Sequence, residues 1–505
     1  MTYLNAADEV VTLKDNLTLT EPVTFNGVGT LDLNGKTLAG ESETTGKNYD
    51  MIDVRGNLTV KNGTITAEFK GTNMGWNNST NVFNVTAGGV LNLNGVTAKN
   101  LGGSDMAFVA HLNNWGEVTL NAENCILEST YISVRVFNSG YDMNNVTIKN
   151  STLKGKYCFW VHNYKAAGDS AGDDSTLNFD IFNGTNTFEY TNSKAPVLYG
   201  FNNPIYLDEN GGVPVADVEA LKAAIAAGFN VSMTKTITIN NQEFELDGNG
   251  CTIYQHGTCE NNIALFDITG GKFTVKNVTF DGVKNGAAVR TVDVEFIADN
   301  VTAKNCEHTQ IQGLFRLYGK NTLTNCVFED NICNYVVTIN FDAKANETQL
   351  VKNCIFNENT CNDLAVLYYV DGAGATIDGN KFIKNSAKSS SNAATLYMGF
   401  TEDNVITNNL FENNKVTTTG TSKRATGGLM LGYEATVTGN AFIGNTVIGE
   451  NAKGNDVCAS VYYTDIDLSG NYWGGNAPVE NDDYSVEFSS HKVIINNYLT
   501  ENPIK

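Results

Sequence analysis

The sequence predicts an all-β chain folded as a parallel β-solenoid in two tandem lobes, with a short helix near residues 215–227 capping the second. Three observations carry that reading. The first is a column of short repeats between about Phe273 and Trp473, among them TVKNVTFDGV, LTNCVFEDNIC, VKNCIFNENTC, IDGNKFIKNS, ITNNLFENNK, VTGNAFIGNT and LSGNYWGGNA. A bulky apolar residue recurs at Phe280, Phe328, Phe356, Phe382, Phe411, Phe442 and Trp473, with rungs 23 to 31 residues apart. A period in that range, built of short strands and Asn/Gly turns, marks coils that bury their apolar side only by stacking. The second is an asparagine three residues after most of these positions: Asn331, Asn359, Asn385, Asn414, Asn445 and Asn476. Stacked coils lie about 4.8 Å apart. Aligned Phe then fills a core, and aligned Asn bonds along the ladder or takes the left-handed backbone of a tight corner. The third is an internal duplication: Leu17–Phe25, Leu31–Leu38, Met51–Val54 and Leu58–Ile65 match Val231–Ile239, Leu246–Ile253, Leu265–Ile268 and Phe273–Phe280, all at an offset of 214 or 215 residues.

The duplication places a first lobe at 1–212 and a second at 213–505, with Asp208–Pro214 (DENGGVP) as the linker. In the first lobe the rungs read LTVKNGTI, LNLNGVTA, VTLNAENCIL, MNNVTIKNSTL and LNFDIFNGTNTF. The loops Gly71–Thr80 and Lys165–Ser175 are rich in Gly, Asp and Asn and are expected to project, as loops that set specificity do. The second lobe opens with Val215–Ala227, where Val218, Leu221 and Ile225 share a helical face and Gly228 follows. A solenoid end exposes an apolar section and open strand edges, which such a helix covers. The chain closes with a last turn around Asn471–Tyr484 and one strand in Ser485–Leu499.

Strand residues alternate inward and outward. Aligning one strand per first-lobe coil gives an outward ladder Asp53, Asn84, His111, Arg135, His162 and Tyr199, with Phe137, Tyr164 and Phe201 two residues along and Trp160 flanking. In the second lobe the same reading gives Asp267, Arg290, Arg316, Thr338, Tyr368, Tyr397 and Tyr462.

Only 17% of residues are charged, and Asn, Thr, Gly and Val dominate, which favours strands and turns. No apolar run approaches the ~20 residues of a membrane span, so no membrane insertion is expected. A formal charge of −22 argues against nucleic acid as a partner, because backbone phosphate is repelled. The opening MTYLNAADE is polar, so a secreted or cell-surface location expects a native signal peptide to have been removed. The ten cysteines include no CxxC, and no metal site is expected. Cys326 and Cys354 share a rung position, as do Cys333 and Cys361, which brings each pair within disulfide range; a ladder of buried free thiols is the preferred reading, since stacking alone explains the spacing.

The tandem F-x-x-N rungs and the single Gly427-Gly428-Leu429-Met430 resemble the repeats of the polymorphic outer-membrane protein family. The closing GNYWGGN-x-P at Gly470–Pro478 is similar to the final coil of adhesin-like β-helix proteins. The resemblance implies a right-handed parallel β-helix of the pectate-lyase type and a cell-surface or extracellular role.

Three functions are weighed on this scaffold. The first is a non-enzymatic adhesin-like protein that binds polysaccharide or a cell-surface glycan: sugar rings stack on aromatic side chains while Arg, His and Asn direct hydrogen bonds. Its expected ligand-binding residues are Arg135, Trp160, His162, Tyr164 and Tyr199 in the first lobe, and Arg316, Tyr368 and Tyr397 in the second. The second is a polysaccharide lyase or glycosidase, for which His111, Arg135 and His162 form the one compact set of acid/base candidates. The third is a structural spacer. No cofactor is expected; calcium is the one ion that the acidic turns Gly172–Asp174 and Asp482–Tyr484 could hold, and neither shows regular ligand spacing.

Overall fold

The computed structural model describes residues 9–42, 48–69, 79–102, 106–113, 116–138, 143–163, 177–192, 194–200, 204–257, 259, 263–308, 313–340, 349–370, 374–390, 392–399, 403–419, 424–488 and 490–504. They form a right-handed parallel β-helix, with about 14 turns in all. The chain divides into two compact units, Met1–Val213 and Pro214–Lys505.

In the first unit one sheet stacks the strands Tyr49–Val54, Thr80–Val85, Ala107–Asn113, Ile132–Asn138, Tyr157–Asn163 and Val197–Tyr199 in parallel. Its inward row is Ile52, Phe83, Ala110, Val134, Phe159 and Val197, all essentially inaccessible. The facing sheet contributes Leu31, Val60, Leu93, Ala122 and Ile148 in register. Ile205–Leu207 then pairs antiparallel to Val197–Tyr199, so that edge does not continue as a parallel coil.

The second unit opens with the helix Val218–Ala226, shorter than the sequence predicts because Val213–Val215 is a strand. Asp217 caps its N-terminus by accepting a hydrogen bond from the Ala220 amide, and Gly228, at φ +80°, ends it. Leu221, Ala224 and Ile225 are its buried residues, while Val218 is only half-buried.

The Phe column is continuous over six coils. Phe328, Phe356, Phe382, Phe411, Phe442 and Trp473 stack with ring centroids 4.8 to 5.1 Å apart. In the coil between Phe280 and Phe328 the column holds Ala303 instead. Phe315, from another strand, lies edge-on to both Phe280 (5.8 Å) and Phe328 (5.2 Å) there.

Asparagine forms two ladders. In one, each side-chain amide of Asn331, Asn359, Asn385 and Asn414 donates to the next Asn Oδ1 and to a backbone carbonyl. In the other, Asn380, Asn409 and Asn440 repeat the pattern, and Asn471 ends it by donating to the Val437 and Leu468 carbonyls. The first ladder ends when Asn445 donates to Asp456 Oδ1 at 2.8 Å. Asn476, the residue the repeat spacing puts next, is exposed and outside the ladder, because the chain turns away after Trp473. The left-handed corners fall on the residue before each ladder Asn, as at Gly379, Asn408, Asn413 and Gly439. The two roles that the sequence assigns to Asn are thus split between neighbours: one bends the chain, the next bonds along the ladder.

All ten cysteines are free and buried. Cys333 and Cys361 are in register, and burial pushes the Cys361 thiol up to about 12. Among the described residues no helix is long and apolar enough to cross a membrane.

Candidate functional site

The outward side of the sheet that carries the candidates is not a simple alternating strand surface. Each strand has a kink at which two successive side chains turn inward, such as Val109 and Ala110, or Val366 and Leu367, all inaccessible. The residue before each kink therefore returns to the outward side, so Phe108 joins Trp160 and Leu198 in one cluster, and Ala365 and Ala394 join Tyr397. A period-two reading misses this second row.

In the first unit the register runs Asp53, Asn84, His111, Arg135, Trp160 and Leu198. Trp160, not His162, occupies the rung beside Arg135; His162 pairs with Phe137 two residues along. Tyr199 pairs with Val161 and is buried within ring distance of Phe179, on the inward side. Tyr164, Phe201, the core of the loop Gly71–Thr80, the loop Lys165–Ser175 and the turn Gly172–Asp174 lie outside the described residues.

His111, Arg135 and His162 do come together. The Arg135 guanidinium donates to His162 Nδ1 at 2.6 Å and packs over Trp160 (4.8 Å), Phe108 (5.4 Å) and Phe137 (5.5 Å). Trp160 and His162 are stacked at 4.9 Å, and Trp160 Nε1 donates to the Gly200 carbonyl. The group is nevertheless closed off: exposure is 8% for His111, 7% for Arg135, 3% for Trp160 and 2% for His162. Burial first, and the guanidinium second, hold the His111 imidazole well below its usual range and bring His162 to about 3.

This burial gives the first unit a pH response. Two histidines with depressed native values bind fewer protons than the unfolded chain below about pH 6.5. Their contribution to stability is complete above that pH and is lost as the pH falls toward 3. Asp50, whose carboxyl is raised by burial while Asn81 donates to it, works in the opposite sense. Denaturant unfolding at pH 7 and pH 5 is expected to show a loss of roughly 2 kcal/mol in the first unit from His162 alone, since each of the roughly 1.5 units between its unfolded value and pH 5 is worth about 1.4 kcal/mol, and His111 adds to it in the same direction. In the variant His162→Gln the loss should shrink by roughly 2 kcal/mol.

In the second unit the predicted register holds from Asp267 to Tyr397. It continues through Met430, Cys458 and Ser485; Tyr462 stands elsewhere, half-exposed, because the chain has turned the corner. Arg290 pairs with Asp267 at 2.6 Å. Arg316 donates to the Tyr318 hydroxyl at 2.9 and 3.1 Å. Tyr368 is half-buried between Tyr335 (5.0 Å) and Tyr397 (5.1 Å), and Tyr397 is buried against Met430. The Tyr335 hydroxyl donates to Asp363 Oδ2. Tyr318 and Tyr335 were not singled out by sequence. Tyr335 precedes the kink, and Tyr318 lies two residues beyond Arg316 on the same face.

The turn Asp482–Tyr484 uses its carboxylates internally. Asp483 Oδ2 accepts from the Val479 amide at 2.7 Å, and Asp482 accepts from the Asn455 side chain. Asp456, buried nearby, is raised to about 7, chiefly by desolvation.

Comparison of the chain with family models, with curated proteins and with solved structures returned no match.

Proposed function

We propose that this is a secreted or cell-surface, adhesin-like protein that binds glycan chains along the outward face of its second unit. The observation that carries the proposal is the row Asp267, Arg290, Arg316, Thr338 and Tyr368, one side chain per coil in unbroken register. Its two arginines and Tyr368 are half-buried, each with part of its side chain open to solvent. Coils repeat at about 4.8 Å, close to the length of one sugar ring, so a linear polymer would meet one position of the row per step; Thr338 is buried, and the contacts fall to Arg290 and Arg316 on one side of it and Tyr368 on the other. Tyr368, braced by Tyr335, offers an aromatic face; Arg316, steadied by Tyr318, offers fixed donors. Tyr397 and, in the first unit, Arg135, Trp160 and His162 are buried, so they enter the proposal as packing behind such faces rather than as contact residues. Binding is preferred to turnover because the described acid/base cluster is closed off from solvent.

Arg316→Ala and Tyr368→Ala are each expected to weaken retention of a bound soluble polysaccharide about tenfold, the value of one stacked ring or one directed charged hydrogen bond. Unfolding should move little in Arg316→Ala and by about 1 kcal/mol in Tyr368→Ala, whose ring packs on two neighbours. Unchanged retention in both variants sinks the proposal.

A further inference from the structure

A second surface in the same unit carries the most exposed aromatic rings of the described residues, and nothing in the row above uses them. Tyr462 is 50% exposed, Tyr463 54% and Phe488 47%. They are not scattered singly. Tyr463 lies 5.0 Å from Tyr433, Tyr462 packs edge-on to Tyr463 at 4.5 Å, and Phe488 packs edge-on to Tyr462 at 5.5 Å. The rings come from three successive coils, since Leu431 pairs with Ala459 and Ser460 pairs with Glu487.

Two further features argue that the cluster is built rather than incidental. Phe488 has φ +58°, a left-handed backbone that a bulky residue adopts only when its surroundings impose it. A large apolar ring is thereby held half in water. Against its ring sits the Arg424 guanidinium at 4.6 Å, itself paired with Glu487 at 2.8 Å and largely buried. The platform thus has a rigid polar edge of one donor fork and one carboxylate.

Beside these residues in the chain runs an open groove of about 550 Å³, lined by Glu434, Thr436, Asp465, Asp467, Ser469 and Asn497. Glu434 follows Tyr433, and Asp465 lies two residues beyond Tyr463. Ala435, Val437, Thr438 and Gly470 complete the lining, so its polar groups are carboxylates, hydroxyls and an amide, with no cationic side chain in the groove itself and His491 at 3.6 Å from Asp465 beside it. Such a surface accepts and donates hydrogen bonds to sugar hydroxyls and repels an anionic polymer.

We infer that Tyr433, Tyr462, Tyr463 and Phe488 form a stacking platform for uncharged sugar rings, with the adjoining polar groove receiving the hydroxyls of the same chain. The inference rests on the glycan-binding reading and adds to it a second subsite and a ligand class: neutral polysaccharide, with polyuronate and sulfated chains excluded. Tyrosine suits the task because its ring packs on the C–H face of a pyranose while its hydroxyl bonds at the edge. At about 50% exposure the rings of Tyr462, Tyr463 and Phe488 contribute little to folding, so removing them separates binding from stability.

The test uses the full chain and two probes of matched length, a soluble neutral glucan and a polyuronate, with binding followed by calorimetry. Tyr463→Ala and Phe488→Gly are compared with Arg316→Ala and Tyr368→Ala. Glycine at position 488 keeps the left-handed backbone and deletes only the ring. The expected result is that Tyr463→Ala and Phe488→Gly each weaken glucan binding at least tenfold, with thermal unfolding unchanged or slightly raised. Glucan affinity unaltered in both, while Arg316→Ala or Tyr368→Ala abolishes it, overturns the platform and leaves the first proposal standing. Glucan affinity unaltered in all four variants, or no binding of either probe, overturns both. Polyuronate bound more tightly than glucan through Tyr463 overturns the ligand class.

Discussion

Replacing Asn385 with alanine is expected to destabilise the second unit by about 3–5 kcal/mol. The side chain is 1% exposed and sits at the middle of a ladder. Its amide donates to the Phe356 carbonyl at 2.8 Å and to Asn414 Oδ1 at 3.0 Å. Its Oδ1 accepts from the Asn359 amide and from the Asn359 backbone N–H. Alanine therefore leaves four buried groups without this partner, and an unsatisfied buried donor or acceptor costs about 1–3 kcal/mol each before relaxation. Each link also polarises the next, so loss in the middle exceeds loss at an end. Asn476→Ala, outside the ladder and exposed, is the control and should change stability by less than about 0.5 kcal/mol. Urea unfolding of both variants checks the pair. Equal, small effects would mean that the ladder is an ornament of the coil rather than what holds its corners.

The second large effect is expected at Phe382. Its ring lies between Phe356 at 4.8 Å and Phe411 at 4.9 Å, nearly parallel to both, and it is inaccessible to solvent. Phe382→Ala should cost about 3–5 kcal/mol, the loss of a buried aromatic plus the cavity that stiff, stacked neighbours cannot close. The fold itself shows what a tolerated gap requires. Where the column holds Ala303, Phe315 reaches in from another strand. In the register of Phe315 the following coils carry Val337, Leu367 and Leu396, so no ring stands at that position beside Phe382. A loss below about 1.5 kcal/mol in urea unfolding would show that the coil repacks, and that the column is not the core's main support.

Both columns were legible in the sequence because each rung sets the same side chain at the same place. The repeat of Phe and Asn is the stacking written out along the chain. What sequence could not resolve follows from three physical causes. Alternation tells which face a residue takes but is silent on a slip of two. In YCFWVHN both Trp160 and His162 face outward, so the choice of His162 as the neighbour of Arg135 kept the face and missed the rung. A slip of one at Tyr199 put it on the wrong side altogether. The kink that turns two side chains inward hid Phe108 and Tyr335. Finally, an outward-pointing residue need not be exposed. His111, Arg135, Trp160 and His162 point away from the coil interior and are still covered, a fact that depends on neighbours distant in sequence. The exposed cluster Tyr462, Tyr463 and Phe488 carried a signal in its Tyr-Tyr pair, but reading Tyr462 as the next rung of the ladder obscured it.

The most direct measurement of the central claim incubates the protein with soluble polysaccharides, neutral and uronate-rich, and reads the same samples for retained polymer and for chain length. The account predicts retention of at least one polymer with its length unchanged. Shortening of any retained chain would contradict it and turn attention to the His111, Arg135 and His162 cluster as a site of turnover. Absence of retention across the panel would contradict it as well, and leave a coil whose outward faces serve protein contacts or spacing alone.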